Sequence, residues 1–458
     1  MQVPAFIVAG APTPAGAAYV ARLDDWIRRS IGTAGDPGAA LVVVDAHGIV
    51  HCRGFGVDAR NRPVTCRTRF AVASLTKSVT ALEIVLLAER GHIALSAPVP
   101  TYLPWFRLRD MDAASRITIE QLLTQRSGLS EDTGRAWLAK TDDDDGALER
   151  RVRALANVRL ASTPATAFAY SNANFDVLGA VIAAVRGTSY ERAIREDIFK
   201  PLAIADAKFA RGDPPVAGFS RVFGWPVVAG REPAMRGDAP AAGMVVDPLS
   251  YGRYLAAHVD AGRTWSRAVA PPAVWGRVHQ SPRGSPYAMG WYEDVGPRIH
   301  QLRSAGAAPD FSSWAIILPE RGVGAAIFAN ANEAVDGGRA DWLETGVERI
   351  LTDRDPPRAP VIALDLTIRL AVLAGLLGLI TSMIGGLRNR SRSRAAVGLG
   401  VALVVLAVVR LAILPTMGGS LAVGLLYAPD LTMMLIAAVT IAAAYAALAT
   451  FSLVRRRN

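Results

Sequence analysis

The sequence predicts an α+β domain, in which an antiparallel sheet is flanked by helices and carries a helical subdomain, followed by three transmembrane helices. Three observations carry this reading. Short β-like runs stand at both ends of the first 354 positions, at Ala39–Asp45 and Ile49–Val57 and again over 287–330. Between them, over 117–205, the apolar spacing is mainly helical. After Asp355-Pro356-Pro357 the chain becomes almost wholly apolar. Strands at both ends with helices between them imply one sheet assembled from both ends of the segment.

Each element has a local reason. Tyr19, Val20, Leu23, Trp26 and Ile27 recur at helical spacing with charges on the other face, so Ala15 to Ile31 reads as a helix that Gly32–Gly38 breaks. Ala39–Asp45 and Ile49–Val57 read as two strands joined through Ala46-His47-Gly48. Phe70 to Lys77 opens a long apolar helix that stops at Gly91. The runs YAMGWYED, SSWAIILP and VGAAIFAN, separated by turn residues, read as antiparallel strands, and Trp342 to Leu351 as an amphipathic helix. Cys52 and Cys66 flank the second strand, and the sequence leaves open whether they pair, since it does not set their separation.

The 458 residues are 51% hydrophobic, with a net charge of +10 and a mean hydropathy of +0.25. Apolar runs at about 366–387, 395–415 and 431–454 each approach the length that crosses ~30 Å of hydrocarbon. Nine arginines against Asp365 and Asp430 place +7 of the +10 after position 360. The basic surplus therefore belongs to membrane flanks, which argues against a nucleic-acid partner. Arginines at 388–394 and 455–457 belong on the cytoplasmic side, which turns residues 1–360 outward, towards the periplasm or the exterior. Arg410, inside the second run, lies near the outer interface, where it can snorkel. The chain thus divides into an apolar N-terminal segment (1–16) resembling the remnant of an export signal, a domain at 17–354, a linker at 355–361 and a membrane segment at 362–458.

Chemistry is sparse but patterned. Of four lysines, at 77, 140, 200 and 208, only Lys77 has a serine three positions before it. Three residues are about one helical turn, so Ser74 and Lys77 share a face, with Ser74 at the positive end of the helix dipole. A lysine in a poorly solvated pocket can accept the proton of such a serine. Tyr170-Ser171-Asn172 offers a phenol to relay protons and an amide to orient a carbonyl. No GxSxG elbow, HExxH or GxxxxGK[ST] occurs, and no GxGxxG follows a strand. His47, His51 and His92 read as structural residues, and Asp142–Asp145 as a solvated loop. No metal or cofactor is called for.

In order, FAVASLTK (70–77), ITIEQLLTQRSGL (117–129), AYSNANFDVLG (169–179), IFKPL (198–202), APAAGM (239–244), YAMGW (287–291) and FSSWAIILPERGVGAAIFAN (311–330) resemble the serine β-lactamase and penicillin-binding-protein superfamily, in its class C-like branch. The resemblance spans roughly residues 20 to 350 and implies a β-lactamase/transpeptidase-like fold and acyl transfer through a serine ester. It implies Ser74 as nucleophile, Lys77 as base, Tyr170 as the group protonating the leaving group and Asn172 as a contact to the substrate amide. The oxyanion hole would join the Ser74 N–H to that of Ala307. The third motif, usually KTG or HxG, reads Ser304-Ala305-Gly306 here, so its cation is missing unless Arg303 or His300 supplies one. Gln125 replaces a histidine often seen in the preceding segment. The implied substrate is a small molecule or peptide: a peptide, D-amino-acid amide or ester. The arrangement also resembles membrane-bound peptidases that remove an acyl-D-amino-acid prodrug group. The alternative is a catalytically weakened sensor of wall fragments.

Overall fold

A computed structural model describes residues 14–34, 36–135, 142–209, 217–222, 225–228, 236–283, 285–295, 299–332, 337–358, 378, 380–381 and 421–455. The chain begins with helix α1 (Pro14–Ala34) and the hairpin β1 (Gly38–Asp45) and β2 (Gly48–Gly56). Its turn is Ala46-His47, closed by Asp45 Oδ1, which accepts from the backbone N–H groups of His47 and Gly48 at 2.7 and 3.1 Å. Short β3 (Phe70–Ala71) leads through a 3₁₀ turn, Ala73–Leu75, into α2 (Thr76–Glu89). The helical subdomain follows as α3 (Met111–Arg116), α4 (Ile119–Leu123), α5 (Glu131–Arg135), α6 (Ala147–Ala154), α7 (Asn172–Arg186) and α8 (Tyr190–Ile194).

Two small sheets join next, one formed by β3, β4 (Ala207–Phe209) and β7 (Met244–Val246), the other by β5 (Phe219–Val222), β6 (Trp225–Val228) and β13 (Ala331–Asn332). Helices α9 (Ala239–Ala242), α10 (Pro248–Asp260) and α11 (Pro272–Val278) precede the strands β8 (Tyr287–Ala288), β9 (Trp291–Val295), β10 (His300–Ala308), β11 (Phe311–Leu318) and β12 (Val323–Ala329). The main sheet has seven strands in the order β2-β1-β12-β11-β10-β9-β8, every pairing antiparallel. It is assembled from both ends of the segment, as the sequence implied. The two small sheets were not foreseen, because their strands are too short to show a period.

The run of apolar residues in β1 is explained by burial on two faces. Successive side chains point to opposite sides of a strand, so Ala39, Leu41 and Val43 pack with Trp314, Ile316 and Leu318 beneath α1 and α12 (Gly337–Leu351), while Ala40, Val42 and Val44 join the core beneath α10 and α2. Trp26 of α1 meets Trp342 of α12 edge to face at 4.7 Å, so the two ends of the domain close on each other. Every residue of α2 from Thr76 to Leu87 is buried, which explains why its sequence shows no polar stripe. Cys52 of β2 and Cys66 are joined by a disulfide, their Cα atoms 6.1 Å apart.

Among the described residues no helix is long and apolar enough to cross a membrane. The spans expected at 366–387 and 395–415 lie outside the described residues apart from 378, 380 and 381. The third, at 431–454, falls on α14 (Pro429–Arg455), which follows α13 (Leu421–Tyr427) and packs against it and against β5.

Candidate active site

Ser74 lies in the 3₁₀ turn that leads into α2, one step earlier than a serine capping the helix would. The turn is strained at Ala73, whose φ is +44°, a left-handed value that an alanine adopts only when its surroundings impose it. The imposing contacts are visible. Thr76 Oγ1 donates to the Ala73 carbonyl at 2.6 Å and accepts from the Met244 N–H at 3.1 Å, while Ser313 Oγ of β11 donates to the Val72 carbonyl at 2.8 Å. The nucleophile turn is thus held between α2, β7 and β11.

Lys77 is fully buried. Its Nζ donates to Ser74 Oγ at 2.9 Å and to the Ala241 carbonyl at 2.8 Å. It also stands 5.0 Å from the ring centre of Tyr170 and 5.7 Å from that of Phe175. Tyr170 Oη donates to the same Ser74 Oγ at 2.9 Å. Two side chains, one of them 96 positions away in the chain, therefore converge on the Ser74 oxygen.

The loop carrying Tyr170 is fixed from below. Gln125, buried and at φ +57°, accepts the Ser171 N–H at 2.9 Å and an amide N–H of Asn174 through Oε1. The residue that stands where a histidine is often seen therefore orients the loop. Tyr287 of β8 packs edge to face on Tyr170 at 6.1 Å. Burial, then the nearby phenols of Tyr170 and Tyr292, push the Tyr287 hydroxyl well above its ordinary range, so it stays neutral.

Asn172 is the first residue of α7 and is half-buried beside Gly134. Among the described residues its amide hydrogen-bonds to none of Ser74, Lys77 and Tyr170. On β10, Ser304 and Gly306 are buried on one face while Ala305 and Ala307 are exposed on the other. A Cβ on Gly306 would stand 2.2 Å from the Val72 carbonyl oxygen, 2.5 Å from Ser313 Oγ and 3.1 Å from the Ser74 nitrogen, so only glycine lets β10 lie this close to the nucleophile turn. The expectation that Arg303 or His300 supplies the missing cation is corrected. Arg303 lies on the opposite face of the strand, 3.8 Å from Glu344 of α12, and His300 Nε2 is paired with Glu293 at 3.0 Å. An odd-numbered side chain on this strand cannot reach the face that Ser304 occupies.

The remaining polar candidates lie elsewhere. His51 pairs with Asp24 at 2.8 Å. Asp144 is bonded by the Arg150 guanidinium and the Gly146 N–H, which lowers its carboxyl to about 2. No group of His, Cys, Asp or Glu among the described residues could hold a metal ion. Sequence reasoning missed the Ala241 carbonyl and the part played by Ser313. A main-chain oxygen has no residue signature, and Ser313 becomes relevant only when β11 is placed beside Val72.

Residues 23–347 match the family model described as Beta-lactamase. "Protein flp" of Staphylococcus aureus (strain MW2) is 26% identical over 344 residues, covering 71% of this chain and 66% of the relative. "Esterase EstB" of Burkholderia gladioli is 35% identical over 188 residues, 38% of this chain and 48% of the relative. The chain thus spans just under two thirds of the first relative's length and about half of the second's. The octameric penicillin-binding protein homologue from Pyrococcus abyssi shares the fold at a TM-score of 0.63 and 20% identity, covering 74% of this chain and 78% of that one. The fold and the match over most of the chain together show that this protein belongs to the beta-lactamase family.

Proposed function

We propose that the chain is a membrane-anchored, outward-facing acyl-enzyme hydrolase that acts on a peptide, D-amino-acid amide or ester. The observation that carries the reading is the convergence of Lys77 Nζ and Tyr170 Oη on Ser74 Oγ, each at 2.9 Å. Lys77 takes the serine proton as Oγ attacks the substrate carbonyl, and an ester to Ser74 forms. Tyr170 passes a proton to the leaving group, and water then releases the acid. The Ser74 and Ala307 N–H groups stabilise the oxyanion, a donor of this kind being worth about 3 kcal/mol. Asn172, at the mouth of α7, orients the substrate amide.

Ser304 faces the site where a cation would otherwise grip a carboxylate, and Arg303 and His300 are engaged elsewhere. This favours neutral acyl groups over substrates that end in a free carboxylate. The outward orientation is supported by the Cys52–Cys66 disulfide, a bond that persists in oxidising compartments, and by the arginine clusters at 388–394 and 455–457. Anchoring is supported by the apolar runs of the sequence after position 361.

The test is labelling of the full-length protein with a fluorescent fluorophosphonate, followed by a screen of D- and L-amino-acyl amides and esters. Labelling that disappears in Ser74→Ala supports the hydrolase. A wild type that takes no label but binds a wall fragment supports the second reading, a sensor of the same fold, which the Ser304 substitution favours.

A further inference from the structure

Tyr170 is the inner end of a chain of aromatic rings. Tyr287 of β8 packs edge to face on it at 6.1 Å and on Phe175 of α7 at 6.4 Å. Tyr292 of β9 stands edge to face on Tyr287 at 5.1 Å, and Phe168, two positions before Tyr170, lies 6.0 Å from Tyr287 and 6.4 Å from Tyr292. Burial sorts these rings. Phe175 and Tyr287 are enclosed and form the floor, Tyr170 and Phe168 are half-buried, and Tyr292 is 36% exposed. The series is therefore closed on the inside and open at its outer end.

The backbone holds the open end in place. Met289 and Gly290, both at positive φ, make the turn between β8 and β9, and a Cβ on Gly290 would stand 2.5 Å from the Ser78 Cα of α2. Only glycine lets this hairpin lie so close to the helix that follows Ser74. Tyr292 pairs with Arg303, the residue before Ser304, and the pairing runs from there towards His300, away from the nucleophile. The Arg303 side chain turns to Glu344, while the Tyr292 ring turns to Tyr287 and Phe168. Among the described residues the cation against these rings is Lys77, on the inner side, 5.0 Å from Tyr170 and 5.7 Å from Phe175. Enclosure, then Tyr170 and Glu131, hold the Tyr292 phenol above its ordinary range, so the outer end is neutral as well as aromatic. Glu131 itself is paired with Arg135 at 2.7 Å.

We infer that Phe168 and Tyr292 form a recognition rim for the leaving group, so that the site prefers esters and amides whose departing alcohol or amine carries a neutral aromatic ring. Tyr170 hands its proton to the leaving oxygen or nitrogen, which must come within about 3 Å of its Oη. A ring one carbon beyond that atom continues the edge-to-face series at its open end, where aromatic pairs gain beyond the area they bury. A carboxylate in the same place would lose its hydration with no cation to meet it. The inference rests on acylation of Ser74 with Tyr170 serving the leaving group.

The experiment is kcat/KM of the full-length protein for benzyl acetate against ethyl acetate, and for N-benzylacetamide against N-ethylacetamide, with thermal unfolding run on every variant. The acyl group is the same in all four compounds, so the ratio within a pair reads the leaving group alone. The wild type favours the benzyl member, and Tyr292→Ala lowers the ratio by about tenfold, the value of one good aromatic contact. Tyr292→Phe retains the ratio because the ring remains. Tyr292→Leu, which keeps bulk without a ring, replaces Tyr292→Ala if that variant does not fold. A merely structural role for Tyr292 slows both members of a pair alike. An unchanged ratio in the folded variant, or a wild type that takes fluorophosphonate label and shows no benzyl preference, overturns the rim, whereas a wild type that takes no label overturns the acylation reading beneath it.

Discussion

Gly306→Ala probes the contact between β10 and the nucleophile turn. The added Cβ would lie 2.2 Å from the Val72 carbonyl oxygen, and real Cβ contacts essentially never fall below 3.0 Å, so strand and turn must separate by ~0.8 Å. The Val72 carbonyl cannot retreat freely, because Ser313 Oγ holds it at 2.8 Å. Val72 precedes the strained Ala73 and Ser74 directly, so the displacement passes to the nucleophile and to the Ser74 N–H. A shift of about 1 Å at a reacting group costs on the order of 10²-fold in rate, and overpacking of this kind costs about 1–3 kcal/mol of stability. The assay is kcat/KM for a p-nitrophenyl ester together with the urea midpoint. A drop of about two orders of magnitude in rate with a folded protein is expected. Wild-type turnover in folded Gly306→Ala would refute the argument that β10 must touch the nucleophile turn.

The remaining expectations concern the base, the crosslink and pH. Lys77→Ala lowers the rate of Ser74 labelling by roughly two to four orders of magnitude with the fold retained by circular dichroism, since proton transfer loses its acceptor; unchanged labelling would remove Lys77 as base. Replacing Cys52 and Cys66 by serine opens a loop of 14 residues and lowers stability by about 3 kcal/mol in urea titration; an unchanged midpoint would show that the crosslink constrains nothing. His258 Nδ1 and His279 Nε2 lie 2.8 Å apart among the rings of Tyr254, Trp275 and Trp291. Enclosure lowers His258 well below the ordinary histidine value and His279 to about 4. The unfolded chain takes up these protons near 6.5 and the folded chain does not, so stability is full above that pH and falls as pH drops towards 4. A wild type and His279→Gln with parallel urea midpoints over that interval would count against the pair.

Much of the architecture was legible in residues 1–354. The β1–β2 hairpin, the long helix from Thr76, the late antiparallel strands and the closing helix were all written in periodicity and turn residues, because each is a local pattern repeated several times. The order of strands in the sheet was only partly so: that both ends of the segment share it could be argued, but the adjacency of β1 and β12 depends on packing between positions nearly 300 residues apart. The short strands at 207–209, 219–222 and 244–246 left no trace for the same reason that isolated contacts rarely do.

At the site, the residue types and spacing of Ser74 and Lys77 determined that the two would share a helix turn, since three residues along a helix return a side chain to the same face. Tyr170 had no such local argument, and its 2.9 Å approach to Ser74 is a product of Gln125 and Tyr287 holding its loop. Arg303 and His300 show the converse: both lie near Ser304 in sequence, but Arg303 is turned away by strand alternation towards Glu344 and His300 is paired with Glu293, partners that no local pattern could name. Sequence by itself determined which groups were available for serine chemistry. Tertiary structure alone decided which of them meet, because a hydrogen bond needs two atoms within about 3 Å, and that distance is set by the packing of whole elements.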